Sequence, residues 1–71
     1  MKDSTVPDDL IQRLFALITA NAEDLATMAI EGQATGLASE RRIQLVNQID
    51  SRCTSITTLA DTLSAINIDQ G

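Results

Sequence analysis

The 71-residue chain has no histidine and a single cysteine, Cys53. A lone cysteine cannot form a disulfide within its own chain, and one thiol with scattered carboxylates is not the ligand set of a zinc site. No imidazole is available to activate a hydroxyl group, and neither a phosphate-binding glycine loop nor a dinucleotide fingerprint occurs. The sequence therefore predicts a protein that is not an enzyme and that uses no metal, cofactor or small-molecule substrate.

Aromatic residues are also scarce, since Phe15 is the only one. The hydrophobic fraction is 44%, which is too high for an obligately disordered segment, so we expect an aliphatic core of the helical-bundle kind. A chain this short buries little surface by itself and usually needs a disulfide, a metal or association. Because the first two are excluded, the composition favours association with a second copy or with another protein.

Positive charge is in short supply, with five Lys and Arg residues against ten Asp and Glu residues and a net charge of −5. An acidic surface repels phosphate backbones and anionic lipid headgroups, which disfavours nucleic-acid and membrane-surface roles. No stretch approaches the roughly 20 apolar residues that a bilayer-spanning helix needs, and no signal peptide is visible. We expect a soluble, cytoplasmic protein.

Apolar residues recur at three- and four-residue intervals in two long runs. This spacing predicts one helix over about residues 7–31, a loop over 32–36 and a second helix over about 37–66. The threonine-rich stretch 54–58 has modest helix propensity, but the continuous period on both sides favours helix there. We therefore expect residues 1–71 to form a single helical-hairpin domain.

The expected helix ends follow from local signals. Pro7 suits the first turn of a helix, where its missing N–H is of no consequence. Gly32 is a good residue to end the first helix, because glycine adopts the left-handed conformation readily. Thr35 and Ser39 are the two candidates for the N-cap of the second helix.

The two apolar stripes are wider than a pair of helices can cover. Projected at about 100° per residue they span about 200° and about 160°, against roughly 100° for a typical surface helix. Two helices with a short connection lie antiparallel and use only part of each stripe. The sequence thus predicts an all-α, antiparallel two-helix hairpin that dimerises into a four-helix bundle of coiled-coil type. The residues expected at this interface are Ile11, Leu14, Ile18, Asn21, Leu25, Met28, Leu45, Ile49, Arg52, Ile56, Leu59 and Leu63.

A few polar residues fall on or beside these stripes. Asn21, at an edge, is expected to specify register and oligomeric state, with a binding-site amide as the alternative. In an antiparallel hairpin Arg52 should reach either Asn21 or Asp24, unless it docks a partner protein. Arg42 projects near the centre of the second stripe, and Cys53 lies inside it, where we expect a buried thiol.

The function most compatible with these features is that of a small regulatory or adaptor protein that acts through helix-mediated protein–protein interaction. A second hypothesis is an RNA-binding dimeric hairpin, because the chain is similar in length and plan to plasmid copy-number regulators of the repressor-of-primer type. The adjacent pair Arg41 and Arg42 is a thin basic patch for that role. A third hypothesis is a structural oligomerisation subunit.

Overall fold

The computed structural model describes the backbone of residues 8–70 and the side chains of residues 8–66. Two helices, α1 (Asp8–Gly32) and α2 (Ser39–Gln70), are joined by residues 33–38 and lie antiparallel, and the described part of the chain contains no strand. The all-helical hairpin predicted from the apolar period is thereby confirmed. The expectation for Pro7 lies outside the described residues.

The end of α1 differs from the expected glycine cap. Gly32 is the last helical residue, and the positive φ of 75° belongs to Gly36, inside the loop. The N–H groups of Gln33 and Ala34 each donate, at 3.1 Å, to the carbonyl three residues earlier. The prediction of a left-handed residue at position 32 is therefore wrong, because the last turn satisfies its carbonyls by tightening and the chain reverses later.

The start of α2 also differs from both candidates for its N-cap. The Arg42 N–H donates to the Ala38 carbonyl at 3.0 Å, which is the first hydrogen bond of the α2 ladder. Ala38 is thus the N-cap, and Ser39 is the first residue inside the helix. The prediction that Thr35 or Ser39 is the N-cap is therefore wrong. Ser39 misses the cap by one position, and Thr35 lies three residues before it. At its other end α2 continues to Gln70, beyond the predicted limit of 66.

A poor N-cap leaves room for stabilisation. We expect Ala38→Ser to raise the free energy of unfolding by about 1 kcal/mol, because a cap hydroxyl accepts a hydrogen bond from a free N–H of the first turn. Chemical denaturation followed by circular dichroism measures the change. The matched control is Ser39→Ala, which should leave the stability nearly unchanged; a loss of about 1 kcal/mol there would instead identify Ser39 as the cap.

The threonine-rich stretch of α2 is helical, as the period indicated. The hydroxyl of Thr54 donates to the Asp50 carbonyl at 3.1 Å, and the hydroxyl of Thr62 donates to the Thr58 carbonyl at 2.9 Å. Bonds of this kind to the preceding turn satisfy a threonine hydroxyl inside a helix. Their presence explains how residues of modest helix propensity are accommodated without a strand.

The hairpin is a thin rod that encloses very little. Its extents are 59 × 15 × 13 Å, and its radius of gyration is 16.6 Å, whereas a compact domain of this length has about 11 Å. Among the described side chains only Leu45, 2% exposed, and Leu63, 7% exposed, are buried hydrophobic residues. Packing is therefore confined to one line of contact between the helices.

Candidate interaction surfaces

One row of side chains from each helix forms the line of contact inside the hairpin, which we call the seam. Every residue predicted for the interface is buried or half-buried there except Arg52, which is exposed. A surface for a second molecule must therefore include side chains outside the seam. The seam residues of α1 are Ile11, Leu14, Ile18, Asn21, Leu25 and Met28, and those of α2 are Leu45, Ile49, Ile56, Leu59 and Leu63.

An ion pair joins the two helices at the loop end. The Arg41 guanidinium donates from Nε to Glu31 Oε2 at 2.5 Å and from Nη2 to Glu31 Oε1 at 2.8 Å. Arg41 is half-buried, whereas Arg42 is exposed. The projection of the stripe singled out Arg42, whereas the arginine that pairs with α1 is its neighbour Arg41.

This ion pair shifts the titration of Glu31. The hydrogen bond from Arg41, helped by its charge and opposed by desolvation, holds the pKa of the Glu31 carboxyl below its ordinary value of 4.5. A carboxylate whose pKa is lowered in the folded state stabilises the fold above pH 4.5. That contribution is lost as the pH falls through the lowered pKa.

We expect Arg41→Gln to move the Glu31 pKa back toward 4.5, because the variant removes the charged donor that stabilises the carboxylate. Carboxyl-detected NMR titration of Glu31 measures the shift. The matched control is Arg42→Gln, which removes an arginine directed instead at the Leu37 carbonyl, 3.5 Å away. An equal upward shift in both variants would contradict a specific pair between Glu31 and Arg41.

A second cross-helix pair lies along the same flank of the hairpin. Arg52 Nε is 3.5 Å from Asp24 Oδ2, and both side chains are about half exposed. Of the two predicted partners of Arg52 the structure thus selects Asp24, because the amide of Asn21 donates to the Leu17 carbonyl at 2.8 Å. Exposed pairs of this geometry contribute little stability. Asp24 and Arg52 border an open groove of about 340 Å³. The groove is lined by Asp24, Thr27, Met28, Gln48, Ser51 and Arg52.

The opposite flank of the hairpin is apolar and exposed. Asp24 precedes the seam residue Leu25, whereas Ala22 follows the seam residue Asn21, so Ala22 lies on the other side of α1. On α2, Val46 and Ala60 each follow a seam residue, and Cys53, seven residues from both, lies on the same side as they do. Residues that follow the seam on two antiparallel helices share one side of the pair, because a local two-fold axis relates the helices. We call this side the apolar face. It consists of Phe15, Ala22, Ala29, Val46, Cys53 and Ala60, all exposed.

The pairs Asp24–Arg52 and Glu31–Arg41 also give the register of the apolar face. In this register the three levels of the face hold Phe15 with Ala60, Ala22 with Cys53, and Ala29 with Val46. Phe15 is 56% and Val46 58% exposed, so a bulky side chain stands at each end and small ones lie between.

Cys53 is exposed, at the middle level of this face. In the single hairpin the prediction of a buried thiol is wrong, because the seam of α2 is narrower than its apolar stripe. The apolar period of the sequence places Cys53 in the stripe of α2. Which part of that stripe α1 covers depends on the side from which α1 packs against α2, and the period does not give that side.

Other large apolar side chains are exposed away from the apolar face. Leu10 and Leu17, 41% and 51% exposed, precede seam positions and lie on the flank of the two ion pairs. Ile30 and Ile43, 68% and 60% exposed, project to the outer backs of the helices near the loop. Single exposed hydrophobic residues are common on protein surfaces and need no separate explanation.

No protein-family model, curated protein or solved structure matches this chain. Across residues 8–70 neither helix is long and apolar enough to cross a bilayer. Among the side chains of residues 8–66, no three acidic or cysteine groups converge on a point where they could hold a metal ion. The apolar face is thus the feature of the described surface that most needs a physical explanation.

Proposed function

We propose that this chain is a non-enzymatic protein-interaction module, in which two hairpins associate through the apolar face into a homodimeric four-helix bundle. The bundle acts as a regulatory or adaptor protein in the cytoplasm by presenting its outer helix surfaces to another protein. The observation that carries the proposal is the apolar face itself, a flank of exposed, uncharged side chains to which both helices contribute.

The support is energetic. A rod whose described side chains include only two buried hydrophobic residues has little burial to offset the conformational entropy lost on folding, about 1–2 kcal/mol per residue for the backbone alone. Pairing two hairpins adds a second line of packing to each helix and closes a shared core. Small residues at the middle of the apolar face allow such helices to approach closely, since alanine and cysteine side chains project little.

The RNA-binding alternative draws less support from the same contacts. Of the arginines near the loop, Arg41 is held in a bidentate pair by Glu31, and a paired guanidinium is less available to a phosphate. Arg52 is likewise beside Asp24. No observation favours this function over protein binding, and a purely structural subunit would share the physics of the proposed dimer.

Light scattering across a wide range of protein concentration, with helicity measured in parallel, tests the proposal. We expect a highly helical dimer that dissociates and unfolds together on dilution, because each hairpin depends on the other for its core. A stable helical monomer at high concentration would contradict the proposal. Binding of the acidic dimer to total RNA with steep salt dependence would favour the alternative instead.

A further inference from the structure

We propose that Met28 is a modification site, at which a peroxide converts the thioether to a sulfoxide and thereby weakens the contact between α1 and α2. The position of Met28, between the seam and the open groove, carries this inference. The inference concerns packing within one hairpin, so it goes beyond the proposed function and does not require the dimer.

Met28 belongs both to the seam and to the groove on the flank of the ion pairs. As a seam residue it is half-buried, and it is the only apolar residue among the six that line the groove. The groove is open and has a volume of about 340 Å³, which is far more than one water molecule needs. A small, hydrophilic oxidant therefore has a path from the solvent to the seam at Met28.

The groove meets the seam at its most completely buried level. In the register given by the two cross-helix ion pairs, Met28 lies at the level of Leu45 on the other helix. Leu45 is 2% exposed, which makes it the most buried of the described hydrophobic side chains. A change of polarity at Met28 therefore acts where this thin hairpin has its best packing.

The reaction needs only a peroxide such as hydrogen peroxide. The thioether sulfur forms a bond to one peroxide oxygen while the O–O bond breaks, and the second oxygen leaves as hydroxide. The proton of the oxygen now bound to sulfur passes to that hydroxide, which gives one water molecule. The sulfur is oxidised by two electrons and the peroxide is reduced, so the product is methionine sulfoxide.

The sulfoxide weakens the seam in either orientation that it adopts. An oxygen that stays between the helices places a polar acceptor beside Leu45, and a buried polar group without a partner is costly. An oxygen that turns into the groove reaches water or the amide of Gln48, but the side chain then withdraws apolar contact from α2. The seam loses stabilising contact in both cases.

A second oxidisable side chain lies elsewhere and can be removed. Besides Met1 and Met28, the side chain most sensitive to peroxide is Cys53, which is exposed on the apolar face. Both measurements below therefore use the Cys53→Ala chain, and peptide mass mapping separates the oxidation of Met28 from that of Met1.

The first measurement is the rate at which dilute hydrogen peroxide oxidises Met28 in the folded chain and in the chain unfolded by urea. Because susceptibility follows exposure, we expect folding to slow the reaction by less than about tenfold. A larger slowing would show that the groove does not open a path to the sulfur, and it would overturn the proposed site.

The second measurement is the unfolding equilibrium of the oxidised chain, followed by circular dichroism at one protein concentration. We expect oxidation to raise the equilibrium constant for unfolding about tenfold, as for a polar group placed in an apolar contact. Treatment with methionine sulfoxide reductases should restore the original value. The matched control is Met28→Leu, which keeps an apolar side chain of similar size and should unfold alike before and after peroxide.

Equal unfolding constants for the oxidised and the untreated Cys53→Ala chain would overturn the inference, because the sulfoxide would then cost the seam nothing. A peroxide effect of equal size in the Met28→Leu control would also overturn it, because the effect would then come from another residue. Neither result bears on association through the apolar face, which light scattering tests separately.

Discussion

Replacing Ala22 with glutamate should dissociate the proposed dimer. Ala22 lies at the middle level of the apolar face beside Cys53, and none of the six residues of that face carries a compensating charge. An uncompensated charge in a buried contact costs at least about 3 kcal/mol, which corresponds to about two orders of magnitude in the dissociation constant. Sedimentation or light scattering of Ala22→Glu and of the native chain over the same concentration range measures this loss.

The control for this variant is Ala16→Glu. The same substitution is made in the same helix at another exposed alanine, on the back of α1 about 120° around from Ala22. Helix propensity and net charge change equally in the two variants, so only the location of the glutamate differs. Equal dissociation constants for both variants would show that the apolar face takes no part in association.

The second large effect is expected in the seam. Leu45 is 2% exposed, the most buried of the described hydrophobic side chains, and Leu45→Ala should lower the free energy of unfolding by about 2–5 kcal/mol through lost apolar contact and the cavity left behind. For a small domain of marginal stability that is a large share of the total. Denaturation followed by circular dichroism is the suitable measurement, since the chain has no Trp or Tyr.

Ile43→Ala is the matched control for the seam, because it removes a similar aliphatic side chain from the same helix at a position that is 60% exposed. Its effect on stability should stay within about 0.5 kcal/mol, as for other surface substitutions. Both variants are compared at one protein concentration, since the stability of an associating chain depends on it. A cost at position 43 equal to that at position 45 would mean that the outer back of α2 is covered by another molecule.

The helical hairpin was predictable because its signals are local and repeated. Apolar residues at three- and four-residue intervals persist through both runs, so the error of any one position is averaged out over many turns. The threonines of 54–58 illustrate the point: their own propensity is modest, yet the period around them indicated helix, and the structure has helix there. The ends were less predictable, because the cap at Ala38 and the turn at Gly36 each depend on one residue's backbone conformation.

The sequence by itself thus determined that the chain is helical, that it folds back once near residues 32–36, and that its stripes exceed what a single hairpin covers. Only the tertiary structure decided how each stripe is divided between the seam and the exposed apolar face. This division depends on the direction from which the other helix packs. Because of that direction Cys53 is exposed, and Arg41 rather than Arg42 forms the cross-helix pair. The apolar period of a sequence describes how side chains are arranged around the axis of one helix. The direction in which two helices pack depends on both helices and on the loop that joins them.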